Sequence, residues 1–168
     1  MILRLTIGFF IFWFSLAEAN DIMKSYTKDY YSNGKIKSEG WSLGTKKIKY
    51  WKFYHPNGRL ASKGHFTNNQ KTGYWYFFRE DGSLDREGHY INNAAEKWWI
   101  FYDIAGRNKE KVELQNNQRN GYCLIYEGRK LIRVKKYNNN AIIGEWTDKK
   151  SFKRDNPEIK FTAFGILL

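Results

Sequence analysis

His65 and His89 are the first residues in this chain whose type and spacing suggest chemistry, because each follows a glycine in the same local pattern, G-H-F and G-H-Y. Imidazoles repeating in step could ligate a metal. If they lie on equivalent strands of successive hairpins, however, two strand spacings separate them, about 9.6 Å, too far to share one ion. Asp85 and Glu87 alternate along one stretch and could form a general acid-base pair, but no base or pocket motif surrounds them, so solvated charge is expected. Cys123 sits between Tyr122 and Leu124 and reads as a buried core thiol. A single cysteine builds neither an intramolecular disulfide nor a multi-cysteine metal cage. With no phosphate-binding glycine loop, zinc-type spacing or nucleophile elbow, no catalytic residue, metal or cofactor is implied.

Recognition chemistry is better represented. Tyr50, Tyr54, Tyr74, Tyr76, Trp98, Tyr102, Tyr122 and Tyr126 alternate along apolar stretches in the manner of one face of a sheet, joined by Phe78, Ile100 and Leu124. Between them fall Lys35, Lys37, Arg59, Lys63, Arg107, Lys109, Lys111, Lys130 and Lys136. Aromatic rows flanked by cations form a surface suited to a ligand that is anionic and partly apolar. The alternative is a sheet that curls or packs so that these rings become a second core layer.

The elements that hold these rows come from internal repetition. Blocks of 24 residues align at 30–53, 54–77, 78–101 and 102–125, with a shorter block at 126–148. Turn glycines fall at Gly34, Gly58, Gly82, Gly106 and Gly128, mid-strand glycines at Gly40, Gly64 and Gly88, and strand-opening glycines at Gly73, Gly121 and Gly144. A tryptophan column runs Trp51, Trp75, Trp99 and Trp146, with Cys123 substituting once. Alternation places Trp51/Phe53, Trp75/Phe77, Trp99/Phe101 and Cys123/Ile125 opposite the tyrosines, with Leu60, Gly64, Phe66, Leu84, Gly88 and Tyr90 beside them. A Trp ring is expected over the bare backbone of a mid-strand glycine. His55-Pro56-Asn57-Gly58 predicts a type I turn closed by a glycine bulge, and Asn68-Asn69, Asn92-Asn93, Asn116-Asn117 and Asn138-Asn139-Asn140 read as polar linkers between hairpins. The predicted fold is all-β: an elongated antiparallel sheet of about five stacked 24-residue hairpins.

Composition bounds the setting. The chain's 168 residues suit one domain. Lys plus Arg number 29 against 17 Asp plus Glu, a formal charge of +12, which favours anionic partners or else keeps sheet edges soluble. Residues 1–19 carry Arg4, an apolar run of about 12 residues and Ala17-Glu18-Ala19, which reads as a signal peptide cut before Asn20. The run is shorter than the roughly 20 residues that span a bilayer. An exported basic chain points to membrane surface, envelope polymer or an acidic protein, and nucleic acid recedes; periplasmic or extracellular location is expected. Residues 20–29 form a lead-in, 30–148 the repeat domain, and 149–168 a basic connector followed by a strand that caps the last edge.

The runs YYSNGKIKSEG, YHPNGRLASKGHFTNNQKTGYWYF and FREDGSLDREGHYINN resemble the MORN repeat in its bacterial variant form. The variant is sometimes labelled antitoxin-like, a role at odds with an exported chain. The likeness covers 30–148 and drifts late, where Ala105-Gly106 replaces Asn-Gly, Val112 the mid-strand glycine and Cys123 the tryptophan. It implies a non-enzymatic scaffold for protein or lipid contacts. GYWYFFREDGSL is also similar to the aromatic hairpins of cell-wall-binding and choline-binding repeats, which makes glycan recognition the rival expectation.

Overall fold

The structure, a computed structural model, describes residues 23–162 and 165–167, with side-chain surroundings through Ile159. The signal-peptide reading of residues 1–19 lies outside the described residues. Eleven strands run as an antiparallel meander in one sheet, each paired with its sequence neighbours. They are β1 (Lys24–Tyr30), β2 (Ile36–Leu43), β3 (Lys46–Tyr54), β4 (Leu60–Thr67), β5 (Gln70–Phe78), β6 (Leu84–Ile91), β7 (Ala94–Tyr102), β8 (Asn108–Gln115), β9 (Gln118–Glu127), β10 (Lys130–Asn138) and β11 (Ala141–Trp146). The chain then forms α1 (Lys149–Asp155), followed by β12 (Lys160–Thr162) and β13 (Gly165–Leu167).

One end of the sheet carries the turns expected from His55-Pro56-Asn57-Gly58. Gly58 N–H donates to His55 O at 2.8 Å and Gly58 adopts φ +90°, so a type I turn does end in a left-handed glycine. The turns at Gly34 and Gly82 repeat this bond. At the other end the asparagine pairs are not linkers. In Asn68-Asn69, Asn92-Asn93, Asn116-Asn117 and Asn139-Asn140 both residues have positive φ, between 47° and 69°, the geometry of a two-residue type I′ hairpin turn. Asparagine tolerates that region because its short side chain bonds locally.

Those asparagines also tie one hairpin to the next. Asn69 Oδ1 accepts from Lys47 N–H while Asn69 N–H donates to Lys47 O, and Asn93 with Lys71, Asn117 with Ala95 and Asn140 with Arg119 repeat the pair at 2.6–3.1 Å. At the opposite end Tyr31, His55 and Arg79 reach the carbonyls of Tyr54, Phe78 and Tyr102. Asp103 follows Arg79 in that column and makes no such side-chain bond; there the Gly128 N–H donates to Arg107 O at 3.0 Å and joins the two turns instead.

The core lies on the tryptophan face. Trp51, Trp75 and Trp99, all on one face of the eleven-stranded sheet, are 0–2% exposed. Each indole covers a mid-strand glycine so closely that a Cβ on Gly40, Gly64 or Gly88 would stand only 2.3–2.6 Å from its ring atoms. Each Nε1 donates to a carbonyl on the strand before, at Trp41, His65 and His89. Between them Phe53, Phe77 and Phe101 continue one stack with centroid spacings of 6.0–6.2 Å. Where Val112 replaces the glycine, the opposing residue is Cys123 and both are fully buried, so a smaller side chain makes room for a larger one.

Bulges bend the strands. Lys49, Gly73, Lys97 and Gly121 have φ between 57° and 108° beside register shifts in β2–β3, β4–β5, β6–β7 and β8–β9. Further shifts overturn two face assignments. Leu60 pairs with Tyr54 and Leu84 with Phe78, so both leucines belong to the tyrosine face. A shift between Lys136 and Tyr137 pairs Trp146 with Val134, which removes it from the tryptophan column; Glu145 takes that side and bonds Arg133 at 2.9 Å.

The expected capping strand is also corrected. Asp148 caps α1 by accepting from Ser151 N–H, and Lys153 and Arg154 lie in the last turn, where cations suit the helix dipole. β12 pairs with β13 in a separate two-stranded sheet and not with β11.

Gly88→Val should lower unfolding free energy by about 3 kcal/mol because the indole has no free space to yield. Lys49→Gly and Lys97→Gly should each raise it by about 1 kcal/mol by relieving a left-handed conformation. Urea melts followed by tryptophan fluorescence measure both signs.

Candidate functional site: the tyrosine face

Register places the expected aromatic residues on one face in three rows across the strands. The central row runs Lys28, Glu39, Lys52, Lys63, Tyr76, Glu87, Ile100, Lys111, Leu124, Val134 and Trp146, one residue from each of β1 to β11. On one side lie Tyr50, Tyr74, Trp98 and Tyr122, and on the other Tyr54, Phe78, Tyr102 and Tyr126. Cations interleave with the rings: Lys63 lies 5.0 Å from the Tyr76 centroid, Lys111 4.7 Å from Trp98 and Lys109 5.4 Å from Tyr126.

The face is not uniformly cationic. Glu39 accepts from Tyr54 OH at 2.6 Å and Glu87 from Tyr102 OH at 2.7 Å. The Tyr54 hydroxyl holds the Glu39 carboxyl below the usual carboxylate range. Burial, reinforced by Glu87, pushes Tyr74 up to about 12, and burial with a carboxylate neighbour also raises Tyr54 and Tyr102. The sequence reads Asp85 and Glu87 as solvated charge and not as an acid-base pair. Asp85 instead meets Arg79 at 2.9 Å and Arg86 at 2.6 Å, so each carboxylate serves its own partner. The signal for Glu39 and Glu87 was present in one column, Glu39, Lys63, Glu87, Lys111, which alternates in sign.

Three of the expected cations stand apart from the rings at the centre. Lys35 Nζ donates to Asn57 O and Arg59 to Glu80 O and Asp81 O, holding adjacent turns together, while Lys37 lies over Tyr31 at 5.9 Å. His65 and His89 pack edge-on against Tyr50 and Tyr74, at 4.9 and 4.7 Å. Cys123 is fully buried on the other face and its thiol is raised to about 11 by burial.

The face divides into two regions. At its C-terminal end α1 lies over β9–β11, where Phe152 packs against Tyr122, Leu124, Val134 and Trp146. Tyr122 is 5% exposed and its hydroxyl donates to Asn156 Oδ1 at 2.7 Å. Tyr122 is therefore core, as the second-layer alternative required. Tyr50, Tyr54, Tyr74, Tyr76, Trp98, Tyr102 and Tyr126 are half-buried. A notch of about 300 Å³ opens between Tyr102, Lys109 and Tyr126 beside Asp103.

An open meander of tied hairpins, with one self-filled face and one ringed with tyrosines, defines an all-β hairpin-repeat protein. Residues 26–40, 49–68 and 71–92 match the family model for the MORN repeat variant, so the expected repeats are present in these three segments, which fall on β1 to β6. No curated protein matches the chain.

Phe152→Ala should destabilise the chain by about 3 kcal/mol and open Tyr122 to nitration, read by mass spectrometry. Stability should stay level from neutral pH to about 10 and fall above it, because unfolded phenols release protons near 10 that folded Tyr54, Tyr74 and Tyr102 retain. Absorbance at 295 nm follows this titration, and in Glu87→Gln Tyr74 and Tyr102 should ionise earlier.

Proposed function

We propose that the chain is an exported, non-enzymatic scaffold of about five 24-residue hairpins whose tyrosine face docks a protein partner. One observation carries this reading: the face already receives a peptide element of this chain. Phe152 enters between Tyr122 and Trp146, and Asn156 accepts the Tyr122 hydroxyl. Apolar insertion combined with a tyrosine hydrogen bond is protein-protein chemistry, and the same ring types continue along β3 to β7. MORN-variant repeats are generally binding or scaffold modules, which is compatible with it.

Glu39 and Glu87, set among Lys28, Lys52, Lys63 and Lys111 in the central row, weigh against an anionic lipid or polymer surface, which favours cations of one sign. Export rests on the sequence of residues 1–19, and intact mass of the released chain should begin at Asn20. A photo-crosslinking amino acid at Tyr76 should give protein adducts in the native envelope, whereas one at exposed Asn92 should not. Salt-resistant retention on cell-wall polysaccharide that disappears in Tyr74→Ala/Tyr76→Ala would instead establish glycan recognition, and salt-sensitive retention on anionic vesicles a lipid surface.

A further inference from the structure

We infer that the tyrosine face pairs with the same face of a second copy of this chain, about a two-fold axis parallel to β5. The inference rests on reading that face as a protein-docking surface and names its occupant.

The argument is charge order. Along the central row the charged residues on β2, β4, β6 and β8 are Glu39, Lys63, Glu87 and Lys111. Read backwards, this even-strand set is its own complement; with the axis on β5 the row's two other cations, Lys28 on β1 and Lys52 on β3, fall opposite the partner's Leu124 and the partner's Ile100. A two-fold axis on β5 sets Glu39 against the partner's Lys111 and Lys63 against the partner's Glu87. Symmetry then supplies the other two contacts, giving four opposite-charge pairs around Tyr76, which meets the partner's Tyr76. Moving the axis one strand to β4 sets Lys63 against the partner's Lys63 and Glu39 against the partner's Glu87. Moving it to β6 sets Glu87 against itself and Lys63 against the partner's Lys111. Both one-strand slips are repulsive, and the axis on β5 brings four opposite-charge pairs where an axis on β7 brings two.

The helix enforces the same choice. A partner sheet packs about 10 Å away, the layer that a helix on the sheet also occupies. With the axis on β5, the partner's β2 to β8 face β8 to β2 and its β1 edge meets α1, which is seated on β9–β11 through Phe152, so a shift toward β6 would drive more of the partner sheet into the helix. The flanking rows agree in kind: Tyr54 faces the partner's Tyr102, Leu60 faces the partner's Leu84 and Tyr50 faces the partner's Trp98. Apolar and aromatic side chains therefore meet across the centre while the charges fix the register.

Sedimentation equilibrium of the purified chain tests the pairing. Wild type should have the mass of a dimer. Lys63→Glu and Lys111→Glu, neither of which holds a tyrosine hydroxyl, should each weaken association at least about tenfold, and Glu87→Lys should do the same. Mixing Lys63→Glu with Glu87→Lys restores opposite charges at the Lys63–Glu87 contacts only between unlike chains, so the mixture should form heterodimers that neither variant forms alone. Circular dichroism confirms that each variant is folded; if Glu87→Lys is not, the two lysine reversals still decide. A monomeric wild type, or a dimer indifferent to both lysine reversals, overturns the inference. In either case protein adducts at Tyr76 would leave the docking face standing with a different partner, and their absence would remove both readings.

Discussion

The contact on which this sheet depends is an indole lying flat on a backbone that has no side chain. A single-layered sheet exposes both faces to water, and a domain must bury one of them to be stable. Here each tryptophan covers a glycine of the neighbouring strand and returns its N–H to a carbonyl of that strand, so the ring is both apolar cover and polar partner. Phenylalanines fill the intervals, and the bulges bend the strands around the row. The tryptophan face is therefore complete without a second sheet or a partner.

That completeness is what makes the tyrosine face available. A sheet needing both faces for its core would bury its tyrosines everywhere, yet here they are buried only under α1. The helix is short, and its Phe152 is joined by Ile159 beyond it, so the covered region is confined to β9–β11. Its polar contacts are as informative as its apolar one. Asn156 satisfies the Tyr122 hydroxyl, just as Glu39 and Glu87 satisfy Tyr54 and Tyr102 elsewhere, so each of these phenols has an acceptor.

Much of this was legible before any coordinates. Pro56-Asn57-Gly58 admits few backbone conformations, and alternation assigned the tyrosines to the correct face because a strand has a fixed period of two. The errors arose where one residue breaks that period. The final block is one residue short, and the shift beside Tyr137 carries Trp146 across the sheet. Bulges at Lys49 and Lys97 were hidden because a lysine stands where Gly73 and Gly121 would have announced a left-handed residue. α1 has a single buried apolar side chain in a basic run, too little for a helical period to show, and the burial of Tyr122 depends on it. The asparagine ties were invisible for another reason: the residues were plain, but their acceptor and donor lie on a different hairpin.

Those ties give the molecule a mechanical character. In a meander, tension applied at the chain ends loads strands at the edge first and peels them away one at a time, so resistance depends on what joins each hairpin to the next. Asparagine bonds run along one margin from Lys47 to Asn140, whereas the other margin is held by the side chains of Tyr31, His55 and Arg79 and, past Asp103, by the one backbone bond from Gly128 to Arg107. A pulled chain would therefore open asymmetrically, its β8–β11 end holding the glycine-turn margin by that single backbone bond while the rest is zipped by side chains along both.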